Sequence, residues 1–167
     1  FLLNLGKPTT QNIALKTRDG AAYQWPGGVG PQRAIVAYSA ICSHQLTYPT
    51  RQISFISYRE RSTAPQGGRA NMIHCCSEHS EYDPAAGARV MAGPAPEPLC
   101  AILLGYDAAT DQLHATGTLG GEMFNSFFSK FEMRLALEHG GGRAKQRVSG
   151  HSTVSPLSQF CKQQVKC

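Results

Sequence analysis

Two short segments, far apart in the chain, each set a thiol beside an imidazole: Cys42-Ser43-His44 and Cys75-Cys76-Ser77-Glu78-His79. Each follows an apolar stretch, Ala34-Ile35-Val36-Ala37-Tyr38 for the first and Met72-Ile73 for the second, which places it at a strand end. A short loop carrying two donors can aim both at one centre with little entropic cost. The fold must therefore deliver two strand ends to one place. Thiolates suit iron, zinc and copper(I), and imidazoles suit zinc, iron and copper. Structural zinc sites usually draw on knuckles of like ligands, C-x2–4-C or H-x3–5-H. Here each pair is mixed. Two Cys and two His fit a tetrahedral zinc site, or a diiron cluster in which two histidines replace two cysteines on one iron.

The rest of the chain reads as short strands and turns. It has 167 residues, with 17 glycines and 10 prolines but only 16% charged residues, a composition that favours a β architecture over a helical bundle. Ile13, Leu15 and Thr17 alternate with polar neighbours, and 34–38, 53–58, Arg89-Val90-Met91, 99–104 and 112–116 are strand segments. Residues 60–70 read as an exposed, charged loop, and 93–98 cannot be a ladder strand because its prolines lack donors. From 122 to 138 the period changes. Met123, Phe124, Phe127, Phe128, Phe131 and Leu135 recur at helical spacing, and Gly140-Gly141-Gly142 ends the run. The expected architecture is all-β, a small antiparallel sandwich or barrel, with one amphipathic helix near the C-terminus and a tail. The parts are 1–120 (with the metal-binding portion at about 40–98), a helical extension at 121–142, and a basic tail at 143–167.

The formal charge is +5, with a concentration of basic residues at Arg143, Lys145, Arg147, Lys162 and Lys166. No basic helix with interleaved aromatics accompanies it, so nucleic acid is not an expected partner; docking to an acidic protein is. No run of about 18 apolar residues occurs, so no helix is expected to span a membrane. Phe1-Leu2-Leu3-Asn4-Leu5 reads as the remnant of a cleaved signal or trimmed anchor. Cys100 lies in an apolar strand and reads as a buried free thiol. Cys161 and Cys167 could form a terminal disulfide, or either could pair with a distant cysteine. His74 reads as a strand-end or surface residue, and His114, His139 and His151 as surface residues. Trp25 and Tyr23 read as packing residues.

The hooks and their surroundings resemble the Rieske iron–sulfur family over roughly residues 10–118. The family's C-x-H box is matched by Cys42-Ser43-His44, and its C-x-x-H box by Cys76-Ser77-Glu78-His79. Aligning the flanks without a gap makes Cys75 the alternative to Cys76. Ser80-Glu81-Tyr82-Asp83 is similar to the segment whose serine and tyrosine hydroxyls bond the cluster, and Gly93-Pro94-Ala95-Pro96 to the proline loop that covers it. The resemblance implies a Rieske-type 2Fe–2S cluster with Cys42, His44, Cys76 and His79 as ligands, and Ser80, Tyr82, Gly93, Pro94 and Pro96 around it. The cysteines that cross-link the two boxes in respiratory members are replaced by Thr47 and Glu78, so that disulfide is absent. The 31 residues between His44 and Cys76 exceed the family's usual spacing.

The implied activity is one-electron transfer at a potential of roughly −150 to +300 mV, coupled to proton uptake at the outer imidazoles. The chain would be an electron-transfer subunit of an oxidoreductase, of quinol–cytochrome type, rather than a stand-alone enzyme. It would be extracytoplasmic and attached to a membrane only through a partner or an absent N-terminal anchor. Its partners would be a cytochrome or a quinol-oxidising subunit. Two alternatives remain open: a Rieske ferredoxin or small subunit feeding an oxygenase or periplasmic oxidoreductase, and a structural zinc-binding interaction module.

Overall fold

A computed structural model describes residues 1–61 and 69–165. The chain is all-β and antiparallel in its main sheets, with short helices after residue 122. Strands β1 (Leu2–Asn4), β2 (Ile13–Lys16), β3 (Ala22–Trp25) and β4 (Ile35–Tyr38) precede the first hook. Strands β5 (Ile53–Ser54), β6 (Ile56–Arg59) and β7 (Met72–Cys75) lead to the second. After it come β8 (Ser80–Asp83), β9 (Arg89–Ala92), β10 (Ala101–Asp107) and β11 (Gln112–Leu119). Helices α1 (Met123–Lys130), α2 (Glu132–His139) and α3 (Leu157–Phe160) and a last strand, β12 (Gln163–Gln164), complete the order.

One four-stranded sheet runs β1-β4-β10-β11 and the other is the meander β6-β7-β8-β9. They share one core, in which Val36, Tyr38, Leu99 and Ala101 pack with Ile56, Ile73, Cys75 and Tyr82. Burying an Ile or Leu side chain contributes about 1.5–3 kcal/mol, so this seam fixes how the sheets meet. It also contains a polar bolt: the buried Tyr38 hydroxyl donates to the Pro84 carbonyl at 2.8 Å. The hairpin β2–β3 carries the expected alternation, with Leu15 and Trp25 buried.

Several sequence expectations change in detail. The opening segment is an edge strand, β1, paired antiparallel with β4. The strand expected over 53–58 is two short strands in different sheets. The loop expected at 60–70 falls, for residues 62–68, outside the described residues. The single helix expected over 122–138 is two. Phe131 leaves helical geometry at φ −115° and ψ 20°, and its ring packs edge-on to Tyr48 and tilted on Phe127. Residues beyond 143 are largely exposed, but β12 returns to pair in parallel with β5. No helix among the described residues is long and apolar enough to cross a membrane.

Candidate metal centre

The two hooks share one backbone design. The Cys42 sulfur receives the backbone N–H groups of His44 and Gln45, and the Cys75 sulfur those of Ser77 and Glu78. In both, the donors come from the second and third residues after the cysteine. In both, the fourth residue takes a positive φ, 51° at Leu46 and 56° at His79. Backbone N–H groups aimed at a sulfur favour its thiolate form. The correspondence makes Cys75, not Cys76, the counterpart of Cys42.

Cys42 and Cys75 are both buried free thiols at the seam of the two sheets. They act on one another. Cys75 is the largest influence pulling the Cys42 thiol well below its ordinary range, while Cys42 and burial push Cys75 up. The two sulfurs are thus close enough to interact directly, as a pair of soft donors for one metal centre must be. Cys76 is engaged otherwise: it is disulfide-bonded, and the Arg59 guanidinium donates to its sulfur at 3.0 Å. This disulfide does not join the two hooks, since Cys42 and Cys75 are free. The terminal disulfide considered from sequence is not made from Cys161, whose buried free thiol donates to the Gln163 carbonyl; Cys167 lies outside the described residues.

The surroundings knit both hooks to the proline loop. The Tyr82 hydroxyl lies 3.4 Å from the Cys42 sulfur and 3.2 Å from Ser43 Oγ. Ser43 donates its own proton to the Glu97 carbonyl at 2.7 Å. Across the loop, the Ala95 N–H donates to Ser80 Oγ at 3.2 Å. Gly93 sits at φ 88°, where a Cβ would stand 2.6 Å from the His79 carbonyl oxygen; only glycine allows the loop to come this close. Pro94 and Pro96 are exposed, while Ala95 between them is buried. Burial, and then the Cys42 charge, raise the Tyr82 hydroxyl far above its usual range, so it remains a donor. The sequence motifs assign no role to Ser43 or Glu97. The only sequence clue to Ser43 is its place inside C-x-H.

The structure does not gather the imidazoles with the sulfurs. Among the described residues, no three His, Cys, Asp or Glu side chains converge as a metal-binding group. His44 is partly buried, and its Nδ1 is a buried side-chain atom with no hydrogen-bond partner among the described residues. Such a nitrogen costs stability unless something binds it. His79 is exposed at the β7–β8 turn. The donor chemistry fits a cluster at the sulfur pair and at His44 Nδ1. His79 stands at the fourth position after Cys75, one further than a C-x-x-H hook provides.

His74 is not a surface residue. It lies buried in β7, with Nε2 3.3 Å from the Arg69 carbonyl and Nδ1 3.9 Å from the Glu81 carboxylate. His114, His139 and His151 are exposed. Cys100 is a buried free thiol pushed up to about 12 by burial. A cavity of about 810 Å³ opens beside Cys42, and the described residues lining it, among them Tyr48, Ile53, Phe55 and Phe160, carry no charged side chain.

No protein-family model matches the chain. Among solved structures it is similar to the crystal structure of the soluble domain of the Rieske protein II (soxF) from Sulfolobus acidocaldarius, at 27% sequence identity and a TM-score of 0.44. The match covers 71% of this chain and 61% of that one, so the chain spans less than two thirds of the length of the domain it resembles.

Proposed function

We propose that this chain holds a Rieske-type 2Fe–2S cluster and carries single electrons. The observation that carries the reading is the pair of buried free thiols, Cys42 and Cys75, each ringed by two backbone N–H groups from the same relative positions. A repeated sulfur-holding loop of this kind serves a centre shared between the hooks. On this reading Cys42 and Cys75 supply the sulfurs, and His44 and His79 the nitrogens. Cys75 takes the place given to Cys76 by box spacing, because the Cys76 sulfur is already in a disulfide. Such a cluster, when bound, accepts and releases one electron, at a potential that imidazole ligands raise.

The chain's own groups do the rest. The N–H groups of His44, Gln45, Ser77 and Glu78 stabilise negative charge on the sulfurs. The Tyr82 hydroxyl offers a further donor to Cys42, and donors to ligand sulfur favour the reduced state. Gly93 and Ala95 press the proline loop onto the second hook, and the Glu97 carbonyl ties that loop to the first, which excludes water from the sulfur side. Bonds from the Ser80 hydroxyl proton belong to the same proposal, since its oxygen is already used by Ala95.

The wider role is proposed as that of an extracytoplasmic electron-transfer subunit docking a cytochrome or quinol-oxidising partner. The disulfide at Cys76 supports an oxidising compartment, and the net charge of +5 suits an acidic docking face. The test is anaerobic purification followed by iron and acid-labile sulfide analysis and EPR of the dithionite-reduced protein. Two irons, two sulfides and a reduced-state signal with nitrogen couplings from two imidazoles support the proposal. Coupling to one imidazole would remove His79 from the ligand set. A colourless chain carrying zinc would replace the reading with that of a structural zinc module.

A further inference from the structure

We infer that Ser43 competes with the Cys42 sulfur for the single hydroxyl proton of Tyr82, and so holds the potential of the centre below what Tyr82 alone would set. The inference rests on Cys42 being a cluster ligand, and it follows from counting protons. Ser43 has one hydroxyl proton, and the 2.7 Å bond to the Glu97 carbonyl consumes it. Its oxygen can then only accept from Tyr82, 3.2 Å away. A ligand sulfur carries no proton, so Cys42, 3.4 Å from the same hydroxyl, can also only accept. Tyr82 has one proton for two acceptors, and both lie within hydrogen-bond reach of it.

All three side chains are buried, so water cannot supply a substitute donor at either acceptor. The Glu97 carbonyl is what makes Ser43 a rival. Were that carbonyl elsewhere, Ser43 could turn and donate to Tyr82, which would release the phenol proton to the sulfur. The position of the proline loop therefore sets the hydrogen bonding of Cys42 through Ser43. Ser43 is a positioning residue on this account.

The experiment combines midpoint potentials with crystal structures of the wild type, Ser43→Ala, Ser43→Thr, Tyr82→Phe and the double variant Ser43→Ala/Tyr82→Phe. The expected results are a positive shift of potential in S43A, a negative shift in Y82F, and no difference between Y82F and the double variant. S43T, which keeps the hydroxyl, stays at the wild-type value. In the S43A crystal the Tyr82 Oη to Cys42 Sγ distance contracts, whether or not iron is loaded. A negative or absent shift in S43A, a shift that persists without Tyr82, or an unchanged Oη–Sγ distance overturns the inference. Absence of iron and labile sulfide in the wild type overturns the cluster reading instead, and the crystallographic arm still decides whether Ser43 draws Tyr82 away from Cys42.

Discussion

The two hooks have the same backbone and opposite surroundings. The first, after β4, is held from several sides. The Ile41 N–H is capped by Ser39 Oγ at 3.0 Å, the Leu46 N–H bonds the Cys42 carbonyl at 3.0 Å, and Ser43 and Tyr82 close over the sulfur. The second is a hairpin turn between Cys75 and Ser80, which face each other in the β7–β8 register. Its sulfur end is buried and its histidine end is exposed. The difference teaches that the position of a sulfur and the support of the loop that carries it are separable. Both sulfurs are fixed by local turn geometry, but only the first hook has its far end packed, with Leu46 against the second apolar cluster.

The largest expected effect tests whether the hooks are partners. Cys42→Ser and Cys75→Ser should each abolish incorporation of iron and acid-labile sulfide. Cys76→Ser should retain both, at the expense of a lower unfolding temperature through loss of its disulfide. Colorimetric iron and sulfide assays on the three variants decide it, and a colourless Cys76→Ser beside a loaded Cys75→Ser would reverse the assignment.

The next tests the rigid side of the comparison. Tyr38→Phe leaves the buried Pro84 carbonyl without its donor and should cost about 1–3 kcal/mol, measured by urea unfolding. A loss below 0.5 kcal/mol, on the scale of ordinary surface changes at roughly ±0.5 kcal/mol, would mean that the bolt between the sheets is dispensable.

A pair of glycine substitutions sharpens it further. Left-handed geometry costs a non-glycine residue roughly 1–2 kcal/mol. His79→Gly should relieve that strain with no packing lost, raising metal-free stability by about 1 kcal/mol. Leu46→Gly relieves the same strain but removes a packed side chain, and burial of a leucine is worth up to about 3 kcal/mol, so its net effect should be destabilising. Equal effects at the two sites, in denaturant titrations of the metal-free protein, would erase the distinction between the hooks.

The smallest effect concerns the loop that joins them. Burial raises the Glu97 carboxyl above its ordinary value, partly offset by the Arg18 N–H that it accepts. A carboxyl raised on folding contributes stability that is complete below its unfolded value and is lost as pH rises through the folded value. Glu97→Gln keeps an acceptor for Arg18 without the charge. Its stability relative to wild type should therefore improve between pH 4 and pH 7, read from urea midpoints at both. A difference that shrinks over that interval would contradict the burial argument.

Much of this arrangement was legible in the residues. Cys42, the tyrosine segment and the proline loop come together in space in the order the motifs imply, whereas His44 and His79 are not gathered with the sulfurs. Box spacing favours Cys76 over Cys75 as the sulfur of the second hook, while the pleat carries the opposite signal. Residues two apart share a strand face, and Ile73 and Cys75 form an apolar pair on one face of β7, both in the core. The break at Phe131 had no such signal. Neither Gly nor Pro marks it, and the ring's contacts with Tyr48 come from a segment over 80 residues earlier in the chain. Ser43 was hidden for the same kind of reason: its role depends on where the Glu97 carbonyl lands, and periodicity carries no information about that.

The parallel pairing of β12 with β5 has a consequence for assembly. Gln163 meets Ile53 across more than a hundred intervening residues, and contacts so distant along the chain form slowly because a long loop must close first. During synthesis both large sheets can be made before residue 163 leaves the ribosome. This clasp is therefore set last, over a body in which Cys42 and Cys75 are already buried at the seam of the two sheets, and the order of events leaves an interval in which that side of the molecule is still open.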